Sequence, residues 1–94
     1  MLTDKRIIII GYSGHAYVVA DALEGEIIGY CENEEKIDNP LQLKYFGPER
    51  SQKAIALLQK NYCFISIGNN NIREKVYSHL KLNAITNFVN AIHY

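Results

Sequence analysis

The sequence predicts a small α/β domain built on a parallel sheet of strand order 3-2-1-4-5, with helices on both faces. Three observations predict it. Four consecutive β-branched residues, Ile7 to Ile10, follow the charged lead Asp4-Lys5-Arg6, and an unbroken apolar run of that length suits a strand buried on both sides. Short runs of this kind alternate along the chain with helix-period segments of about ten residues, the pattern of right-handed βαβ units. At 94 residues, 48% of them hydrophobic and 21% charged, the chain is a single domain over residues 1–94, of ordinary globular composition and too short for two catalytic domains.

The elements follow in order. Ile7 to Ile10 is the first strand. Gly14 to Leu23 carries Val18, Val19, Ala22 and Leu23 at helical spacing, with Ser13 placed to cap it and Gly25 just past its end. Glu26 to Cys31 (EIIGYC) is the second strand, and the acidic, turn-rich stretch Glu32 to Pro40 follows it. Leu43 to Phe46 forms a short third strand. Gly47-Pro48 then punctuates the chain, Pro48 suiting a first helical position, and Ala54, Ile55 and Leu58 make the apolar stripe of a second helix that Asn61 ends. Tyr62 to Ile67 (YCFISI) is the fourth strand. After Gly68, the residues Ile72, Val76 and Leu80 recur every four positions, which predicts a third helix, and Asn71 lies three before Glu74 at capping-box spacing. Ala84 to Ala91, with Ile85, Phe88 and Val89, is a weaker fifth strand.

With the first helix joining strands one and two, and the second carrying the chain to the far side of strand one, the order reverses between strands one and four. Ligands of open α/β sheets bind beyond the carboxyl ends of the strands at such a reversal. Two polar loops are expected to meet there: Gly11-Tyr12-Ser13-Gly14-His15 and Gly68-Asn69-Asn70-Asn71. A glycine directly after a buried strand permits a tight turn, and Gly14 lets backbone N–H groups approach an anion with no Cβ in the way. The loop is phosphate-shaped. It departs from the dinucleotide fingerprint G-x-G-x-x-G, since Ser13 replaces the second glycine and Ala16 the third, and without G-K-[ST] it is not a P-loop.

The candidate binding residues come from these loops and from the end of strand two. The Ser13 hydroxyl can donate to a phosphate; the plainer reading is that Ser13 only caps the helix and the glycines only turn the chain. Tyr12, inside the loop, could stack on a ligand. His15 could hydrogen-bond a ligand hydroxyl or phosphate, but no second titrating partner stands beside it, so no catalytic residue is assigned. Glu32 lies 21 positions after Gly11, where a nucleotide-binding sheet often keeps an acid for a ribose hydroxyl or a base. Asn33 beside it offers donor and acceptor to a base edge; alternatively Glu32-Asn33-Glu34-Glu35 is a solvated turn. Asn69 and Asn70 bring amides to the same place, while Asn71 is assigned to capping. Arg73 sits badly for the helix dipole, which a nearby anion would relieve, unless it simply pairs with a surface acid.

Charge and cysteine usage exclude other classes. Ten Lys and Arg balance ten Asp and Glu, which removes the basic footprint of a nucleic-acid binder. No apolar run approaches the ~20 residues of a spanning helix, and the N-terminus lacks a signal-peptide pattern, so a cytoplasmic address without a membrane partner is expected. The histidines lack metal-ligand spacing. Cys31 and Cys63, 32 positions apart, lack C-x-x-C spacing and are expected to be reduced core thiols.

Taken together, IIIIGYSGH at Ile7 to His15, IGNN at Ile67 to Asn70 with Arg73 following, and the ending Val89-Asn90-Ala91-Ile92-His93 resemble one family. It is the N-terminal domain of the bacterial sugar acetyltransferases that include the UDP-N-acetylbacillosamine pathway acetyltransferase and the sialic acid O-acetyltransferase-like proteins. The resemblance spans nearly the whole chain. It implies a small Rossmann-like domain that holds a nucleotide-linked sugar and no cofactor of its own. Acetyl-CoA and the catalytic histidine would belong to a C-terminal left-handed β-helix of hexapeptide repeats, which also builds the family's homotrimers. That β-helix is expected to be absent here: the family continues after the Ile-His pair with Pro and the first repeat, whereas here Tyr94 replaces Pro and the sequence stops, either as a piece of a longer protein or as a domain retained alone. By motif, Gly11, Ser13, Gly14 and His15 would lie beside the phosphates and sugar, with Gly68, Asn69 and Asn70 facing them. Glu32 and Asn33 stand where relatives often show two acids contacting the base, so uridine is the expectation and the base stays open. The alternative is an NAD(P)-binding module of an oxidoreductase or redox sensor, motivated by the glycine loop and Glu32 and opposed by Ser13. A third reading is a packing module whose loops bind nothing.

Overall fold

In the computed structural model, which describes residues 5–20, 23 and 25–89 with His15 in its backbone alone, the isoleucine run is the central strand β1 (Arg6–Ile10). All four isoleucines are fully buried, each side chain contributing roughly 1.5–3 kcal/mol by its removal from water. Their alternation divides the core into two layers. Ile8 and Ile10 pack with Ala54, Leu58, Val76 and Leu80; Ile7 and Ile9 pack with Tyr12, Ala16 and Leu23. The first set belongs to α2 (Gln52–Lys60) and α3 (Asn70–Leu82), the second to α1 (Gly14–Val19) and its flanks. Helices therefore cover both faces of the sheet.

Around β1 lie β2 (Glu26–Cys31), β3 (Lys44–Tyr45) and β4 (Tyr62–Ile65). The four strands are all parallel, in the order β3-β2-β1-β4. Register slips once between β1 and β2, where Ile7 faces Ile27 but Ile8 faces Gly29, so Ile28 is the extra residue of a bulge. Across from it, β3 presses close to β2. A Cβ on Gly29 would run into the Phe46 ring and stand 2.6 Å from the Lys44 carbonyl oxygen.

The expected fifth strand is a correction. The sheet has four strands among the described residues, and the segment after α3 touches β4 at one parallel bridge, Cys63 to Phe88. Two hydrogen bonds hold that bridge, from Cys63 N to Asn87 O and from Val89 N to Cys63 O, both 2.9 Å. It extends no further upstream because Ala84 turns through φ 62, Ile85 buries fully in the α2–α3 layer, and Phe88 N bonds to Thr86 O within its own turn. Residues 90 and 91 of the expected strand lie outside the described residues.

Helix boundaries shift for reasons visible in the caps. α1 runs over Gly14–Val19; residues 21 and 22 of the expected helix lie outside the described residues, and Leu23 is buried. Ser13 occupies the position before α1 without a side-chain capping bond. Pro48 lies in a turn rather than at the start of α2; Ser51 N bonds to its carbonyl, and the Ser51 hydroxyl accepts from Ala54 N at 3.2 Å. Asn61 ends α2 as expected, its amide donating to Leu57 O. α3 starts one residue before Asn71, so the cap is Asn69, whose Oδ1 accepts from Ile72 N at 3.0 Å.

Candidate functional site

Because all four strands run the same way, the loops after them gather over one end of the sheet. Gly11 leaves β1 at φ +90, and a Cβ there would stand 2.9 Å from Ser66 O and 3.0 Å from Ile67 Cγ1. The bend after β1 thus touches the chain leaving β4. Backbone bonds tie the three central strand ends together: Gly11 N donates to Cys31 O at 3.0 Å and Ser66 N donates to Ile10 O at 2.8 Å.

These bends enclose a cavity of about 320 Å³ lined by Gly11, Ser13, Glu32, Asn33, Glu49 and Gly68, within the size range of small-molecule sites. Cys31, Ser66, Ile67, Ile72 and Val76 complete its wall. Five of the residues singled out in the sequence therefore come together. The loop convergence expected from the strand order is present.

Other candidates are placed differently. Tyr12 is fully buried, its ring 4.6 Å from that of Tyr30 and 5.2 Å from that of Tyr17. Its hydroxyl donates to Asn39 Oδ1 at 2.6 Å and accepts from Leu41 N at 2.9 Å. Burial pushes that hydroxyl's pKa up, against the lowering effect of the Leu41 bond. The expectation that Tyr12 stacks on a ligand is corrected: the ring is part of the core. Asn69 spends its side-chain oxygen on the α3 cap, and Asn70 Oδ1 accepts from Arg73 Nη2 at 2.5 Å. Arg73 is thus partnered by an amide and stands outside the cavity wall, as do Asn69, Asn70 and Gly14. A Cβ on Gly14 would meet nothing within 4 Å. The His15 side chain lies outside the described residues.

Glu32 is the acid that the spacing marked, and it has a local task as well. Its Oε2 accepts from Tyr12 N, and its backbone carbonyl accepts from the Tyr45 hydroxyl at 2.9 Å. One carboxylate oxygen thereby anchors the glycine loop to the end of β2. Glu32 and Glu49 both line the cavity, and no Lys or Arg is among its described lining residues. Any phosphate held there relies on neutral donors: loop N–H groups other than those of Gly11 and Tyr12, which are already bonded, the Ser13 hydroxyl and the Asn33 amide.

The cysteines match their expected role as free, buried thiols. Burial, with Glu49, Cys63 and Glu32 adding to it, pushes Cys31 up to about 12, so this wall residue is a neutral apolar surface and not a nucleophile.

Sequence reasoning missed Glu49 and the apolar wall. Glu49 had a usable signal, since the Gly47-Pro48 turn opens the loop after β3, and in a parallel sheet that loop reaches the same end as the others. Ile67, Ile72 and Val76 had none, because their apolar spacing reads as ordinary core.

Among known proteins, a family model described as the PglD N-terminal domain matches residues 6–80. No curated protein and no solved structure matches the chain.

Proposed function

Since the chain belongs to the PglD N-terminal domain family, the leading part of PglD-like acetyltransferases, we propose that its cavity holds a nucleotide-activated sugar for acetylation. The ligand class proposed is a UDP-amino sugar, and the reaction served is N- or O-acetylation by acetyl-CoA. In this reading the chain binds and orients substrate while acetyl-CoA and the acetyl-transferring histidine belong to a further, trimer-forming domain. The observation that carries the reading is the contact between Gly11 and the chain at Ser66 and Ile67, which joins two distant bends into one cavity with Glu32 and Asn33 on its wall. Loop N–H groups and Ser13 would receive the diphosphate, and the Glu32–Asn33 side would receive the nucleoside.

Calorimetric titration with UDP, a UDP-amino sugar, GDP and NADH tests it. Heat is expected with the UDP ligands, more strongly with the sugar attached, and no acetyl transfer by this chain alone. Preference for NADH would reassign the cavity to a dinucleotide. Silence with all four at up to about millimolar ligand would reduce the cavity to a packing feature.

A further inference from the structure

Glu49 stands in the turn between β3 and α2, on the wall of the cavity beside the end of β2. Its side chain is 14% exposed, and its one ion pair among the described residues is a 4.0 Å contact with Arg50, whose own side chain is 61% exposed. Among the described residues no N–H or O–H donates a hydrogen bond to its carboxylate. A carboxylate on a side chain this little exposed normally accepts several. Glu32, on the same cavity wall, shows the ordinary case, since it accepts the Tyr12 N–H. The Glu49 oxygens are not sealed into the protein, unlike the buried and unpartnered Ser66 Oγ on the same wall.

We infer that Glu49 touches the ligand, accepting a hydrogen bond from a donor group on it, a hydroxyl or an amine. The inference rests on the nucleotide-sugar reading above and adds to it a residue and an orientation. Phosphate oxygens only accept, and beside two carboxylates they are repelled. The donor-bearing part of the ligand therefore lies against Glu49 and Glu32, and the diphosphate lies toward Gly11, Ser13 and Gly68. Ribose hydroxyls and the hydroxyls or amine of the hexose offer the same chemistry, and the test separates them.

The experiment is calorimetry on the chain and on Glu49→Gln and Arg50→Gln, with UDP, 2′,3′-dideoxy-UDP and a UDP-amino sugar. Glu49→Gln is expected to weaken binding about tenfold, the loss of a charge-assisted bond. If UDP itself is weakened, and dideoxy-UDP binds the unaltered chain as poorly as UDP binds the variant, the donor is on the ribose. If only the UDP-amino sugar is weakened, the donor is on the hexose. Thermal denaturation without ligand is the second readout. A carboxylate kept for a ligand and poorly compensated without one predicts a melting temperature in Glu49→Gln equal to or above that of the unaltered chain. Arg50→Gln is expected to leave affinity unchanged.

Affinities within twofold of the unaltered chain for every ligand overturn the inference alone. So does a fall in melting temperature and affinity shared by Glu49→Gln and Arg50→Gln, which marks a structural brace. Failure of the unaltered chain to bind any of the three ligands overturns the nucleotide-sugar reading, and the inference with it.

Discussion

At Glu32 a single residue ties the glycine loop to β2 and borders the cavity: one carboxylate oxygen holds the Tyr12 N–H, and the residue is part of the cavity wall. Spacing from Gly11 identified the acid, but not its bond to the loop. The asparagines show the opposite outcome. All three sit near the cavity in sequence, yet local hydrogen bonds take Asn69 for a cap and Asn70 for Arg73, because short amide side chains reach nearby backbone and side-chain partners first. The cysteines carry a prediction at this scale. Burial raises both thiols from 9.0 to about 12. Above pH 9 the unfolded chain loses thiol protons that the folded chain keeps, so unfolding becomes easier as pH rises from there toward 12, and below 9 these groups leave stability unchanged. Denaturant midpoints across that window should fall with pH. Iodoacetamide at pH 8 should label neither thiol until denaturant is added, and rapid native labelling of Cys31 would contradict its placement.

Among the elements, β2 and β3 depend on a single glycine. Gly29 has no room for a Cβ between the Phe46 ring and the Lys44 carbonyl, and the bulge at Ile28 brings it opposite Ile8. Gly29→Ala should cost about 1–3 kcal/mol through forced repacking, read as a lower denaturant midpoint. A change within about 0.5 kcal/mol, the usual effect of a surface substitution, would refute the close approach of β3. The cap positions explain why helix limits were only partly legible. Ser51 and Asn69 are cap-forming residue types, but so are Ser13 and Asn71, and sequence ranks them alike. Which one caps depends on where tertiary packing starts the helix: Val76 and Leu80 must face the sheet, and that sets the phase of α3.

For the whole molecule, the cavity is the consequence of strand order. β1 lies between β2 and β4, so loops from distant parts of the chain close over one sheet end. Gly68 tests this without disturbing the fold, since a Cβ there meets nothing within 4 Å while the residue lines the cavity. Gly68→Val should keep the melting temperature within about 2 °C and cut affinity for the UDP-amino sugar at least tenfold, by filling space that the ligand needs. Unchanged affinity would remove the cavity from consideration as the binding site. No helix among the described residues is long and apolar enough to cross a membrane, in keeping with the two-layered core around β1.

The sequence by itself determined the class of fold, the order of four strands, the glycine bend and the acid at the end of β2. Those features are written as local burial periods and as residue types with special backbone freedom, which act along the chain and can be read along it. Tertiary structure alone decided that the fifth strand shrinks to one bridge, that Tyr12 turns inward, and which residue of the loop after β3, Glu49, joins the cavity. Each depends on what a side chain or strand meets from a remote segment: Ile85 drawn into the helix layer, Tyr12 held by Asn39 and Leu41, Glu49 delivered by the loop after β3. Periodicity records how much of a residue is buried, and only packing records against what.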